Sequence, residues 1–279
     1  MTSVLTRVSG PRATRGVGAW LARLDTKGKA AVIAVEVLTV LILWELAVGV
    51  FGWINPVFLP SPLDIATGFG ELLQAGALAP NALASLQAWL IGFGLAIAIG
   101  LPLGLLMGTS VPMDRVFGPI AWTIYATPAV AYQPLSKAWF GFGAGPVIFL
   151  VTISAVFPIL LNVAAGIRTT NPSLLRAARV YGASRLQLYT RVYLPSTIPF
   201  LFAGLRQGAV MATIGLIVAE LTGSSVGMGA VIIRSANTYQ TDQSFAAIII
   251  VVAWSVGMTQ AITGVQRLVA PWTRAGAVR

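Results

Sequence analysis

Apolar residues in this chain come in long unbroken runs, not in the period-two or one-face spacing of water-facing elements. Six runs approach the roughly 20 residues that carry a helix across a bilayer core. They lie at 30–52, 82–107, 116–135, 145–166, 198–222 and 244–266. Each predicts a helix that spans a membrane. Pro119, Pro128 and Pro134 interrupt the third run. It is therefore expected to be broken or kinked and to line something, because proline is tolerated at membrane depth where neighbours satisfy the freed carbonyls. The first run is too long for a signal-peptide core, and no small-residue cleavage site follows it, so it reads as retained. Between the first two runs, residues 53–81 carry Pro56, Pro60, Pro62 and Pro80 and read as a defined loop rather than a helix. Ahead of the first run, Val17, Trp20, Leu21 and Leu24 recur at i, i+3, i+4 and i+7 among Arg15, Arg23 and Lys27. That pattern predicts a short interfacial helix on an anionic leaflet, with a disordered basic tail as the alternative. The organisation is a basic tail at 1–29, a transmembrane domain at 30–268 and a second tail at 269–279.

Charge fixes the orientation. Of the 18 Lys and Arg, six lie before the first run, one follows the second, five follow the fourth and three follow the sixth. The opposite side holds only Lys137 and Arg234, and Arg206 lies inside the fifth run. The positive-inside rule then places both termini in the cytoplasm, consistent with six crossings. Composition agrees: 57% of the 279 residues are hydrophobic and 9% are charged, against about 25% charged in soluble domains. A soluble enzyme is excluded on that inventory. The net charge of +10 reads as an orientation signal and not as a nucleic-acid surface. The chain has no His and no Cys, which removes imidazole catalysis, thiolate nucleophiles and the usual zinc sites. An intramembrane enzyme is disfavoured on the same ground.

The longest inner connection, 167–197, reads IRTTNPSLLRAARVYGASRLQLYTRVYLPST. Asn171 and Ser173 suit a helix start, and Pro172 suits a first turn. Gly182 sits where a left-handed residue would end that helix. Ser184 can cap a second helix, and Pro195 is expected to stop it. Two short helices with a sharp break, carrying five arginines around an apolar seam, are too small to be stable alone in water. They should dock on the membrane helices and offer a knob to a cytoplasmic partner.

Ala177-Ala178, three residues, Gly182, nine residues and Val192-Tyr193-Leu194-Pro195 resemble the EAA loop, EAA-x3-G-x9-I-x-LP, of the inner-membrane permeases of ABC importers. Arg176 stands where that family usually has Glu. Trp44-Glu45, Phe58-Leu59-Pro60-Ser61-Pro62, the Gly100–Gly108 run, WFGFG at 139–143, Gly204-Leu205-Arg206, Ala219-Glu220 and Gly227-Met228-Gly229 are similar to the nitrate/sulfonate/taurine branch. Ala88, where many relatives carry Arg, and Gln133, in place of an apolar residue, depart from it. The resemblance implies an all-α fold of six transmembrane helices, the type I importer permease fold shared with methionine importers. It implies an ATP-driven importer of a small solute, in a bacterial inner membrane. It also implies a second copy of the permease, an ABC ATPase dimer docked on the loop, and an extracytoplasmic solute-binding protein. Leu174, Leu175, Arg176, Ala177, Ala178, Tyr181, Gly182, Ala183 and Pro195 are the coupling candidates. The chain has no G-x-x-x-x-G-K-[ST] sequence, so no phosphate cradle of its own. No cofactor is expected in it, and ATP and Mg would belong to the partner.

Polar groups inside a membrane are costly unless paired or facing water. Gln133, Arg206, Gln207 and Glu220 are the candidates for lining a pathway. Arg206 could face a cavity and attract an anion such as a sulfonate, taurine or nitrate, or it could pair with a neighbour. Glu220 and the 223–229 run near the outer mouth read as a gate or docking loop, or as a simple helix end. Glu36 and Glu45 lie nine residues apart, on opposite faces of the first helix, and read as structurally paired or exposed at the membrane interface. Gly100, Gly104 and Gly108 form a small-residue ridge for close helix packing. An ATP-independent carrier or channel is the alternative reading. It would call for buried carboxylates and an inverted repeat, and no such repeat is visible.

Overall fold

A computed structural model describes residues 25–271. The interfacial helix expected at 17–24 and most of the C-terminal tail lie outside the described residues. Every described element is helical, and the chain divides after Leu63 into two compact units.

The first unit contains α1, Thr26–Glu45, whose start is capped by Asp25 accepting from the Gly28 N–H at 2.8 Å. Its end widens into a π-helical turn at Leu46–Val50. The Glu45 carboxylate accepts the Leu63 N–H at 3.1 Å, which ties the Pro-rich connection back to the end of α1. Of the two roles expected of Glu45, pairing or interface exposure, this bond is the pairing.

The 53–81 stretch corrects the sequence reading. It holds α2, Pro62–Gln74, and the start of α3, Leu78–Thr109. Pro62 occupies a first turn, where the missing N–H costs nothing. Asp64 in the same turn complements the helix dipole. Ile65, Gly68 and Leu72 are buried along one face. Gly76, at φ +64°, ends α2, with the Gly76 and Ala77 N–H groups returning to the Leu73 and Leu72 carbonyls. Pro62 and Pro80 thus mark helix beginnings, and Pro56 and Pro60 lie in the connection before α2.

Among the described residues, five helices are long and apolar enough to cross a membrane: Gly28–Val50, Leu78–Thr109, Ala144–Arg168, Arg185–Leu221 and Thr241–Val269. The third expected span is not a single helix. It consists of α4, Val111–Ala126, a 3-10 turn at Ala129–Tyr132, and α5, Gln133–Phe140. Pro128 pushes Thr127 out of the helical region, to ψ 126°, and that ends α4. Pro119 lies inside α4 without ending it.

The core is built on α6, Ala144–Arg168, which packs most extensively on α3 and on α9, Leu194–Leu221. The α3 glycine ridge is spent inside the chain. A Cβ at Gly100, Gly104 or Gly108 would sit 2.7–2.9 Å from the Val156 carbonyl, the Leu160 carbonyl or the Ile167 side chain, respectively. These partners advance together along both helices, so α3 and α6 run parallel. On the other side Gly204 meets Pro158 and Ile159, Gly208 meets Ala155 and Ile159, and Gly215 meets Leu150 and Ser154. That order is reversed, so α9 is antiparallel to α6. Small residues let these backbones approach closely, and van der Waals packing can then hold helices that gain little hydrophobic free energy from lipid.

After α6 come α7, Pro172–Val180, and α8, Arg185–Leu188, followed by a π-helical turn at Tyr189–Tyr193 that runs directly into α9. Pro195 therefore does not stop the second helix of the loop. It sits in the first turn of α9. The wide turn before it, closed by the Leu194 N–H on the Tyr189 carbonyl, accommodates a residue with no N–H to give. The chain ends in α10, Met228–Asn237, and α11, Thr241–Val269.

Candidate functional site

The loop between α6 and α9 is held at its base and free at its tip. At the base, Arg168 pairs with Asp114 at 2.5 Å, the Thr170 and Ser196 hydroxyls meet at 2.9 Å, and the Tyr189 hydroxyl donates to Thr109 Oγ1 at 2.9 Å. Asn171 starts α7 by accepting the Ser173 N–H at 2.9 Å. Gly182 lies at φ +73°. The Gly182 and Ala183 N–H groups satisfy the Arg179 and Ala178 carbonyls, both at 3.0 Å. Ser184 and Gln187 then form a reciprocal capping box that starts α8.

No residue of α7 is buried. Val180 is 84% exposed, Tyr181 88% and Leu186 72%. Leu174, Arg176 and Ala177 are also exposed, and Leu175, Ala178 and Ala183 are half-buried. The sequence candidates from Leu174 to Ala183 therefore share one projecting double helix, and only Pro195 stands apart. Val180 and Leu186 were not singled out from the sequence. Their signal is exposure, which the local pattern does not carry. Arg176 donates to Ser173 Oγ at 3.1 Å and has no carboxylate partner among the described residues. No Asp or Glu occurs between Asp114 and Glu220.

Inside the membrane region the polar residues form two groups. Gln207 accepts from Asn162 Nδ2 at 3.1 Å and donates to the Tyr125 hydroxyl at 2.9 Å, linking α6, α9 and α4. Gln207 is exposed, and Asn162 and Tyr125 are partly so. Arg206, next to it, donates to Gln266 Oε1 on α11. Tyr125 also lines a cavity of about 170 Å3 at the break after α4, with Tyr132 and Ser154. The sequence reading missed Asn162 and Tyr125, because each is one polar atom group in an apolar run.

The second group lies toward the other end of α9. Gln133 Nε2 donates to the Thr222 carbonyl at 3.2 Å, and Lys137 donates to the same oxygen. Glu220 is only 2% exposed. Its Oε1 accepts from the Ser85 hydroxyl at 2.6 Å, and its Oε2 accepts from the Gly229 N–H at 2.8 Å. Ser85 Oγ accepts the Met228 N–H at 2.9 Å, and Asn81 Oδ1 accepts the Gly227 N–H at 2.8 Å. The start of α10 has no cap of its own. Three side chains from α3 and α9 cap it instead, so Glu220, Ser85 and Asn81 form a latch that fixes the 223–229 turn. Gln133 and Glu220 are brought to this end, and Arg206 and Gln207 to the middle.

Residues 100–275 match the family described as "Binding-protein-dependent transport system inner membrane component". The chain is 32% identical over 217 residues to the riboflavin transport system permease protein RibX of Chloroflexus aurantiacus, covering 77% of this chain and 80% of that protein. It is 29% identical over 247 residues to the taurine transport system permease protein TauC of Escherichia coli strain K12, covering 86% and 89%. A structure of the MetNI methionine ABC transporter in inward-facing conformations matches with a TM-score of 0.59 at 18% identity, over 71% of this chain and 96% of that one. At that identity the likeness speaks to the fold alone.

Proposed function

The chain belongs to the family of binding-protein-dependent transport system inner membrane components, and from that premise we propose that it forms the translocation pathway of an ATP-driven importer. It is a multi-pass membrane permease. In this reading two copies enclose the pathway. A cytoplasmic ATPase pair, binding ATP and Mg, seats the 171–195 loop, and an extracytoplasmic binding protein delivers the solute. Both termini face the cytoplasm of a bacterial inner membrane.

The observation that carries the reading is the loop itself. Its apolar tip, Val180, Tyr181 and Leu186, is among the most exposed apolar surface of the described residues. Its C-terminal helix runs through the π-turn into α9 with no interruption, as the continuous Arg185–Leu221 stretch shows. A partner that shifts the tip would act as a lever on α9. Through the Gly204, Gly208 and Gly215 contacts it would also move α6. Rigid-body motion of this kind is an established route to alternating access.

The Asn162–Gln207–Tyr125 chain and Arg206 are the pathway side of the molecule. Polar groups at this depth are tolerated where they face water or a partner. We assign the solute to small anions, on Arg206 and on the absence of acids between Asp114 and Glu220. The test is uptake of radiolabelled ethanesulfonate, with nitrate as competitor, into proteoliposomes holding the chain, its ATPase and its binding protein. Uptake should require ATP and fall about tenfold or more in Arg206→Ala, the loss of one charge-assisted hydrogen bond in the pathway. Uptake that persists without ATP would favour the carrier reading. Uptake of neutral solutes alone, indifferent to Arg206, would remove the anion assignment.

A further inference from the structure

A cavity of about 490 Å3 opens beside α10, lined by Asn81, Arg234, Ser235, Asn237, Gln240 and Gln243 among others. It falls in the size range of small-ligand sites. Its chemistry is that of a donor-rich pocket with one cation. Arg234 uses only Nε, on the Ala230 carbonyl at 3.2 Å. Its two Nη groups have no hydrogen bond or ion pair among the described residues. Ser235 is 5% exposed, and its hydroxyl makes no hydrogen bond among the described residues. Neither nearby acid pairs with Arg234 among the described residues: Glu71 accepts from Gln243, itself on the cavity wall, at 2.9 Å, and the Asp242 carboxylate lies close to Gly68.

The turn that forms the rim is held in a costly conformation. Tyr239 sits at φ 59° and is the one non-glycine residue at positive φ among those described. The left-handed region is unfavourable for a residue with a side chain. The conformation lets the Tyr239 and Gln240 N–H groups close on the Ala236 and Ser235 carbonyls, and it places Gln240 on the cavity edge.

We propose that this cavity binds an oxyanion group, a sulfonate or a carboxylate, through the Arg234 fork and the Ser235 hydroxyl. The group could come from a free solute or from an acidic side chain of a docking protein. Asn81 makes the site consequential. It lines the cavity and also holds the Gly227 N–H of the latch at 2.8 Å. The Asn81 Nδ2 donates to the Ala77 carbonyl at 2.7 Å, so an oxyanion that draws on it competes with that carbonyl and, by turning the amide, loosens the Oδ1 hold on the Gly227 N–H at the start of α10. The inference takes only its sidedness, extracytoplasmic, from the permease reading.

The test uses the full chain in lipid nanodiscs, with 3,3,3-trifluoropropane-1-sulfonate as the probe followed by 19F NMR line width. Saturable broadening is expected. Apparent affinity should fall about tenfold or more in Arg234→Gln, as for loss of a charged hydrogen-bond partner. It should fall less in Ser235→Ala and stay unchanged in the cytoplasmic control Arg115→Gln. A blocked Gly-Glu-Gly tripeptide that displaces the probe at lower concentration than the probe's own half-saturation assigns the source to a protein side chain. Failure of the tripeptide to displace it assigns a free solute. Broadening that does not saturate, or that is equal in Arg234→Gln, overturns the proposal. Because the assay contains no ATPase, failure of ATP-driven uptake would leave its result standing.

Discussion

Replacing Gly182 with valine is expected to abolish ATP-driven uptake while leaving the membrane domain folded. The residue holds φ +73°, and a Cβ there would meet nothing within 4 Å. The penalty is therefore conformational and not steric. A β-branched residue resists the left-handed region more than alanine does. Gly182→Ala should be a milder variant, losing about 1 kcal/mol locally, and Gly182→Val should unwind the junction between α7 and α8. The junction matters because two ladders end there, one closing α7 on the Ala178 and Arg179 carbonyls and one starting α8 at Ser184. No residue of α7 is buried, so the membrane core should not register the change. The checks are uptake in proteoliposomes and thermal unfolding of the detergent-solubilised chain. Near-background uptake with unchanged unfolding is the expected pair of results.

The second large effect is expected at Glu220. Truncation to alanine removes the acceptor for both the Ser85 hydroxyl and the Gly229 N–H, in a site that is 2% exposed. Each buried group left unpaired costs about 1–3 kcal/mol, so Glu220→Ala should destabilise the chain by roughly 2–6 kcal/mol. Glu220→Gln should recover most of that. Its amide oxygen can still accept from Gly229, and its NH2 can donate to Ser85 Oγ, a hydroxyl able to take a second donor. Thermal unfolding of the two variants in one detergent separates the cases. Equal loss in both would mean that charge, not hydrogen bonding, holds the latch.

The loop was the most legible part of the sequence because its signals are local. Asn171 with Pro172, Gly182 and Ser184 each act on neighbours within a few residues, and all four behave as their chemistry predicts. The long apolar runs were legible for the same reason. Proline was not. Pro62 and Pro80 begin helices, Pro128 ends one, Pro119 lies inside one, and Pro195 is accommodated by a π-turn. The same residue type has four outcomes that depend on where the missing N–H falls. The latch was invisible for a different reason. Ser85 and Glu220 lie 135 positions apart, and nothing in the local pattern of either names the other. The glycine ridge showed close packing but not its partner, which proved to be α6 of the same chain.

The central claim is that the 171–195 loop seats in a partner ATPase, and the absence of cysteine from the chain makes it directly testable. Single-cysteine variants Tyr181→Cys and Phe142→Cys, both at highly exposed aromatic positions, would be treated with a short bifunctional crosslinker in native membranes. The account predicts a permease–ATPase product from Tyr181→Cys that changes in yield with ATP, and none from Phe142→Cys. Absence of that product from Tyr181→Cys, in membranes that still transport, would contradict it.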